Sequence, residues 1–189
     1  MYAVFPLNIV VLPNESVALH LFEPRYRQLF RDYKEGEEFA IVYKDKAGLA
    51  DFGTLVYIEK VVNEFPDETV DVIVKGSSII KVKEFHETYP DKLYSGIEAE
   101  EIDHSHDAKD NLKALFKLYL EAVGKRINKN QPLDLFYIAN RLELDAETKN
   151  ELISLNSSAE INCFLMNQIR FLEKIREQES LLQSKFHLN

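Results

Sequence analysis

The apolar residues of this chain change their period once, and that change limits the possible folds more than any other feature. Up to about residue 102 apolar and polar residues tend to alternate. From Asp103 onward the apolar residues recur every three to four positions. Alternation puts one face of a strand against a core, whereas a 3.6-residue recurrence puts one stripe of a helix there. The expected fold is therefore α+β, with a β-rich part over 1–102 and a helical part over 103–189.

Within the first part, Phe39–Tyr43 is a short apolar run, and Leu55–Val62 is a longer strand entered through Gly53. Phe65-Pro66-Asp67-Glu68 marks a turn, because proline and aspartate suit tight turns. Val70, Val72 and Val74 alternate with Asp71, Ile73 and Lys75. Gly76-Ser77-Ser78 then reads as a break and a β-turn, after which Ile79–Phe85 resumes. Leu93–Ile102 is a further strand. Together these predict a meander of antiparallel strands. One helix interrupts them: Pro24 suits its first turn, Tyr26, Leu29, Phe30 and Tyr33 follow at helical spacing, and Gly36 ends it.

In the second part, Leu112, Leu115, Phe116, Tyr119, Val123 and Ile127 form one helical stripe. Pro132 permits a new start, with a short helix over Leu133–Leu142. Asp145 can cap the next helix, and Ser157 with Glu160 three residues later is a capping-box pattern. Ile161, Phe164, Leu165, Gln168, Leu172 and Ile175 carry the helix that follows. Four helices joined by short loops predict a small helical bundle.

Composition enters as a set of exclusions. Asp plus Glu number 32 against 23 Lys plus Arg, a net charge of −9. That argues against a surface built to neutralise nucleic-acid phosphates. Cys163 is the sole cysteine, so there is no intramolecular disulfide and no cysteine-built zinc site. Charged residues interrupt every apolar run well short of the ~18 residues that span a bilayer. The N-terminus has no leader pattern, and the expected location is cytoplasmic.

One stretch carries more information than the rest. Phe5-Pro6-Leu7-Asn8-Ile9-Val10-Val11-Leu12-Pro13 leads into Leu19-His20-Leu21-Phe22-Glu23-Pro24-Arg25-Tyr26-Arg27. It resembles the N-terminal substrate-recognition domain of the Lon protease family, which shows a Phe-Pro-Leu start, a hydrophobic-Pro turn and a Leu-His-Ile-Phe-Glu-Pro-Arg-Tyr segment. Leu21 stands where isoleucine is usual, and Asn14 where glycine often follows the second proline. Agreement continues through Phe52-Gly53-Thr54 and Val72–Val82. The resemblance implies a PUA-like β pseudo-barrel followed by a helical bundle, and a role in recognising polypeptides.

The motif residues Phe5, Pro6, Leu7, Pro13, His20, Phe22, Glu23, Pro24, Arg25, Tyr26 and Arg27 read mainly as structural. Phe5, Leu7, Val10 and Leu12 supply core side chains. Pro6 and Pro13 suit strand ends or edges, where no ladder donor is lost. A bidentate Glu23–Arg25 pair would fix how the helix leaves the strand. His20, between two leucines of a strand, reads as a core or junction histidine with a local hydrogen bond.

Full-length Lon proteases add an ATPase and a Ser-Lys peptidase domain, and the chain is expected to carry neither. Gly124-Lys125-Arg126 is the nearest approach to a phosphate-binding loop, and it lacks the earlier glycine and the hydroxyl. No nucleophile, base and orienting group can be assembled. The expectation is a non-catalytic module that needs no cofactor and no metal. It would bind unfolded or hydrophobic polypeptide segments and partner a protease or chaperone. Monomer and homodimer both stay open.

Other groups carry side chains capable of chemistry of their own. Asp103-His104-Ser105-His106-Asp107 holds metal-ligating side chains, but its place before a helix reads as a surface loop or cap. Cys163, beside Ile161 and Phe164, reads as a semi-buried inert thiol. Arg27, Arg31 and Lys34 share one helix face, and Lys75, Lys81 and Lys83 gather around one hairpin. Such a basic patch gives the alternative reading, an RNA-binding module. Tyr119, Phe136, Tyr137, Phe164 and Phe171 give the helical part a heavy aromatic load. Those left exposed would offer a hydrophobic patch, and a groove between barrel and bundle would suit a ligand.

Overall fold

The computed structural model describes residues 1–34, 36–102, 107–127 and 132–186, without the side chains of 180 and 182–186. Its elements are β1 (Tyr2–Leu7), β2 (Ser16–Leu21), α1 (Pro24–Asp32), β3 (Glu38–Lys44), β4 (Leu49–Glu64), β5 (Val70–His86), β6 (Ser95–Glu101), α2 (Asp110–Ala122), α3 (Leu135–Ala139), α4 (Ala146–Ile153) and α5 (Ser158–Phe186). The fold is α+β. The chain divides into two compact units, Met1–Asp103 with Leu144–Ser154, and His104–Glu143 with Leu155–Asn189. None of the described helices is long and apolar enough to cross a membrane.

In the first unit, β3, β4, β5 and β6 are antiparallel neighbours in chain order. The two N-terminal strands depart from the expected meander. β1 lies parallel to β3 and antiparallel to β6, and β2 pairs with β5. A parallel pair needs a long crossover, and the stretch holding β2 and α1 supplies it between β1 and β3. Because β5 also pairs with β6, the pairings β1-β3-β4-β5-β6-β1 close on themselves. β2 hangs outside that ring, on the N-terminal half of β5.

Two apolar clusters explain the composition of the ring strands. Phe5, Ile41, Val56, Val72 and Val74 join Tyr26 and Leu29 of α1 in one cluster. Val4, Ala40, Val42, Leu55, Ile80 and Ile97 form the other. Adjacent residues of β1, β3 and β4 thus point to opposite faces, both covered. That is why Phe39–Val42 reads as a continuous apolar run and not as an alternation.

β5 runs unbroken through Gly76-Ser77-Ser78, where the sequence suggests a turn. The glycine serves close approach instead. A Cβ at Gly76 would lie 2.2 Å from the Leu12 carbonyl oxygen. Asn14 N–H donates to Gly76 O at 2.9 Å, and Gly76 N–H to Glu15 O at 3.0 Å. Gly53 lies inside β4, not at its start, and a Cβ there would meet Ile41 O at 2.7 Å. α1 stops at Asp32, where the Tyr33 N–H closes on Leu29 O, short of Gly36.

α4 joins the strand-bearing unit. Asp145 caps it by accepting from Thr148 N at 2.8 Å. Lys149 Nζ donates to Glu15, whose other carboxylate oxygen accepts from Leu12 N at 2.8 Å. Both side chains of this ion pair are mostly buried.

The second unit is held by facing apolar stripes: Leu112, Phe116 and Leu120 of α2, Leu135, Phe136, Ile138 and Ala139 of α3, and Ile161, Leu165 and Ile169 of α5. α3 is shorter than the expected Leu133–Leu142, with Asp134 capping it through Tyr137 N at 2.7 Å. Asn162 is 2% exposed; it accepts from Lys109 N at 2.8 Å and donates to Ser158 O at 2.7 Å. Cys163 is exposed, not semi-buried. Two residues past Ile161 the helix has turned by about 200°, which carries the thiol away from the buried stripe.

Candidate functional site

The residues of the Phe5–Arg27 stretch divide into an inward and an outward set. Phe5 is buried, with its ring centroid 4.2 Å from that of Tyr26 and 5.0 Å from that of Phe39. This contact ties β1, α1 and β3 together, and burial raises the Tyr26 hydroxyl above its ordinary pKa, with Arg25 opposing. Leu7 packs partly buried against the same cluster. Pro6 pairs with Val42 beyond the last β1–β6 pair, Val4 with Ser95, so one flank of β1 has no partner strand there. Pro13 bridges to Gly76.

Glu23 precedes α1 in an extended conformation, and Pro24 fills the first helical position. Arg25 Nε and Nη2 both lie 2.8 Å from the same oxygen, Glu23 Oε2. The pair is therefore not the fork-on-fork arrangement the residue types suggest. The Arg25 guanidinium sits 4.5 Å from the Tyr26 ring centroid. Arg27 reaches the β4–β5 turn, where Nη1 donates to Asp67 O at 2.8 Å and to Glu68 Oε2 at 3.2 Å. Arg31 lies 3.7 Å from the same carboxylate. α1 is thus strapped to the hairpin tip.

The outward set lies at the end of β2. His20 is a surface histidine, not a core one: more than half of its side chain is exposed, and Nδ1 lies 2.7 Å from Asp71 Oδ1 on the neighbouring strand. Asn63 Nδ2 donates to Asp71 Oδ2 at 3.1 Å. The His20 hydrogen bond, with that of Asn63, holds the Asp71 carboxyl below the usual carboxylate range. Phe22 stacks beside the imidazole, with centroids 6.0 Å apart, and Phe65 meets it edge-on at 6.2 Å. These two rings are 61% and 41% exposed. His20, Phe65, Pro66, Asp67 and Thr69 line a shallow hollow of about 390 Å³. The only hydroxyl on that lining, Thr69 Oγ1, donates to Asp67 Oδ1 at 2.7 Å. The result is an apolar row with one fixed polar edge, suited to contact more than to bond cleavage.

Five of the six basic residues that suggest a patch are engaged. Arg27 and Arg31 meet Glu68, Lys75 lies 3.4 Å from Glu59, and Lys83 lies 2.7 Å from Glu100. Lys81 stands over the Phe52 ring. The three lysines share one strand, β5, of the β4–β5 hairpin. In the second unit Phe136 is buried and Phe171 exposed. His104 and His106 lie outside the described residues. No group of three or more potential ligands is placed to hold a metal among the described residues.

A family model for the ATP-dependent protease La (LON) substrate-binding domain matches residues 1–181. The chain belongs to that family. Solved Lon N-terminal domains share its fold. A Lon N-terminal domain protein from Xanthomonas campestris superposes with a TM-score of 0.66 at 20% identity, over 92% of this chain and 96% of the other. The N-terminal domain of the Mycobacterium avium complex Lon protease gives 0.68 at 17% identity, over 89% and 97%. No curated protein matches the sequence. Within this Lon family fold, sequence reasoning passed over Phe65, Asp71 and Asn63 as site residues. The one local signal was an aromatic opening the Phe65-Pro66 turn. Its place beside His20 depends on β2 lying against β5, which no local pattern states.

Proposed function

We propose that this Lon substrate-binding domain is a polypeptide-recognition module without catalysis of its own, passing bound segments to a protease or chaperone. The observation that carries this reading is the exposed Phe22–His20–Phe65 row at the end of β2. Aromatic rings held just past strand ends, as Phe22 and Phe65 are, give large apolar contact, the kind of anchor that dominates protein recognition. The one hydroxyl on the lining of the hollow, that of Thr69, already donates to Asp67, which offers the His20–Asp71 pair no free nucleophile there. Ion pairing of Arg27, Arg31, Lys75 and Lys83 weighs against the RNA reading, since phosphate neutralisation needs uncompensated charge. The closed ring of strands supports describing the first unit as a PUA-like pseudo-barrel, and α2, α3 and α5 as a small helical bundle.

The test is fluorescence anisotropy with labelled, S-carboxymethylated α-lactalbumin, which stays unfolded. Saturable binding in the micromolar range is expected. The double variant Phe22→Ala/Phe65→Ala should weaken it about ten-fold, the loss of one modest hot spot. No saturable binding by the parent protein would overturn the reading.

A further inference from the structure

The strand beside that aromatic row has an open side. β2 has one strand neighbour, β5, and lies outside the closed ring. Among the described residues, the main chain of Ser16–Leu21 has no ladder partner beyond β5. An open edge is a row of unpaired N–H and C=O groups, and proteins usually guard it with lysine, proline, a bulge or a cover. β2 carries neither lysine nor proline. It pairs with β5 from Ser16↔Lys75 to Leu21↔Val70 with no shift of register. The ring pairs β3–β4, β4–β5 and β5–β6 all contain irregularities. The β1 ladders are also regular but shorter, so the longest ladder without a shift belongs to the one hanging strand.

We infer that the open edge of β2 accepts an extended polypeptide segment as an added strand, an inference that rests on the polypeptide-recognition reading above. The backbone defines the class of ligand, since a row of alternating donors and acceptors at strand spacing is complemented by another strand. The side chains narrow it. Val17 and Leu19 point toward the core but stay partly exposed. An added strand with apolar residues at alternate positions would cover them. Its opposite face would lie beside Ala18 and His20, with its end at Phe22. The preferred occupant is thus an unfolded segment of alternating apolar and polar residues. A second copy of the chain is disfavoured, because it brings a net charge of −9 against −9.

Hydrogen exchange by mass spectrometry, with and without saturating S-carboxymethylated α-lactalbumin, tests this. Exchange over Ser16–Leu21 should slow about ten-fold or more while β3 is unchanged, since newly bonded amides open only when the ligand leaves. A synthetic peptide of alternating valine and threonine should displace the labelled lactalbumin, and its fully N-methylated twin should not. If lactalbumin binds but β2 exchange is unchanged, or both peptides displace it equally, the added strand is wrong and the recognition reading stands. If lactalbumin does not bind, both fail. Protection of β2 that rises with protein concentration alone would give the edge to a second copy and overturn the inference.

Discussion

The two halves of β5 sit in opposite surroundings. From Ile80 to His86 the strand is flanked by β6, which returns to β1 and closes the ring. From Val70 to Lys75 it is flanked by β2, whose far side pairs with nothing in the sheet. Ile80, with Ile97 of β6, backs the closed half, whose later residues are mostly exposed, while the open half sets Val70, Val72 and Val74 in the core and ends among Phe22 and Phe65, which face solvent. One strand thus closes the ring along one stretch, and along the other packs the core while carrying the strand whose far edge is open. The two roles separate because ladder hydrogen bonds are local: closing a ring at one end of a strand does not cover its other end.

The largest break in this contrast should come from the ring interior. Phe5→Ala removes a buried ring packed on Tyr26 and Phe39, and urea unfolding should show a loss of about 3–5 kcal/mol. Next comes the junction between the halves. Gly76→Ala forces a Cβ against the Leu12 carbonyl, which must move, and the same assay should show a loss of about 1–3 kcal/mol.

The closed side should also show a pH signature. Lys92, with Tyr94, holds the Asp32 carboxyl below its ordinary value. A lowered folded pKa stabilises above the ordinary carboxylate value near ~4 and is lost as pH falls through the folded one. Burial, then Asp32, pushes the Tyr94 hydroxyl upward. A raised pKa stabilises below ~10 and is lost as pH rises beyond it. Asp32→Asn should flatten the acid limb of stability against pH, and Tyr94→Phe the alkaline limb. The smallest effect on folding belongs to the open side. Phe22→Ala should shift stability by less than about 0.5 kcal/mol in the same assay, because that ring is mostly in water.

Patterns within a few residues were legible in the sequence. The change of period marked where strands give way to helices. Pro24 marked the start of α1 and Asp145 the cap of α4. Ser157 and Glu160 marked the start of α5, where Glu160 N–H meets Ser157 Oγ at 3.3 Å. What escaped depends on partners distant in the chain. Alternation says that a strand has an inner face but not which strand lies beside it, so neither the parallel β1–β3 pair nor the β2 edge could be read. Gly76 resembled a turn because its reason, the Leu12 carbonyl, comes from another segment. α4 resembled one more helix of the helical part until Lys149 met Glu15. The site was half legible: His20 and Phe22 stood in the motif, while Phe65 and Asp71 joined them through strand pairing.

The closed ring also governs how the chain must acquire its structure. β1 is the first strand of the unit and its antiparallel partner β6 the last described one, so β1 waits longest for its full set of neighbours. Pairing across so long an intervening chain carries a large loop-closure cost and slows folding. During synthesis one flank of β1 stays bare until β6 appears. The contiguous β3–β4–β5 hairpins, whose pairings close the shortest loops, are the expected starting point of folding.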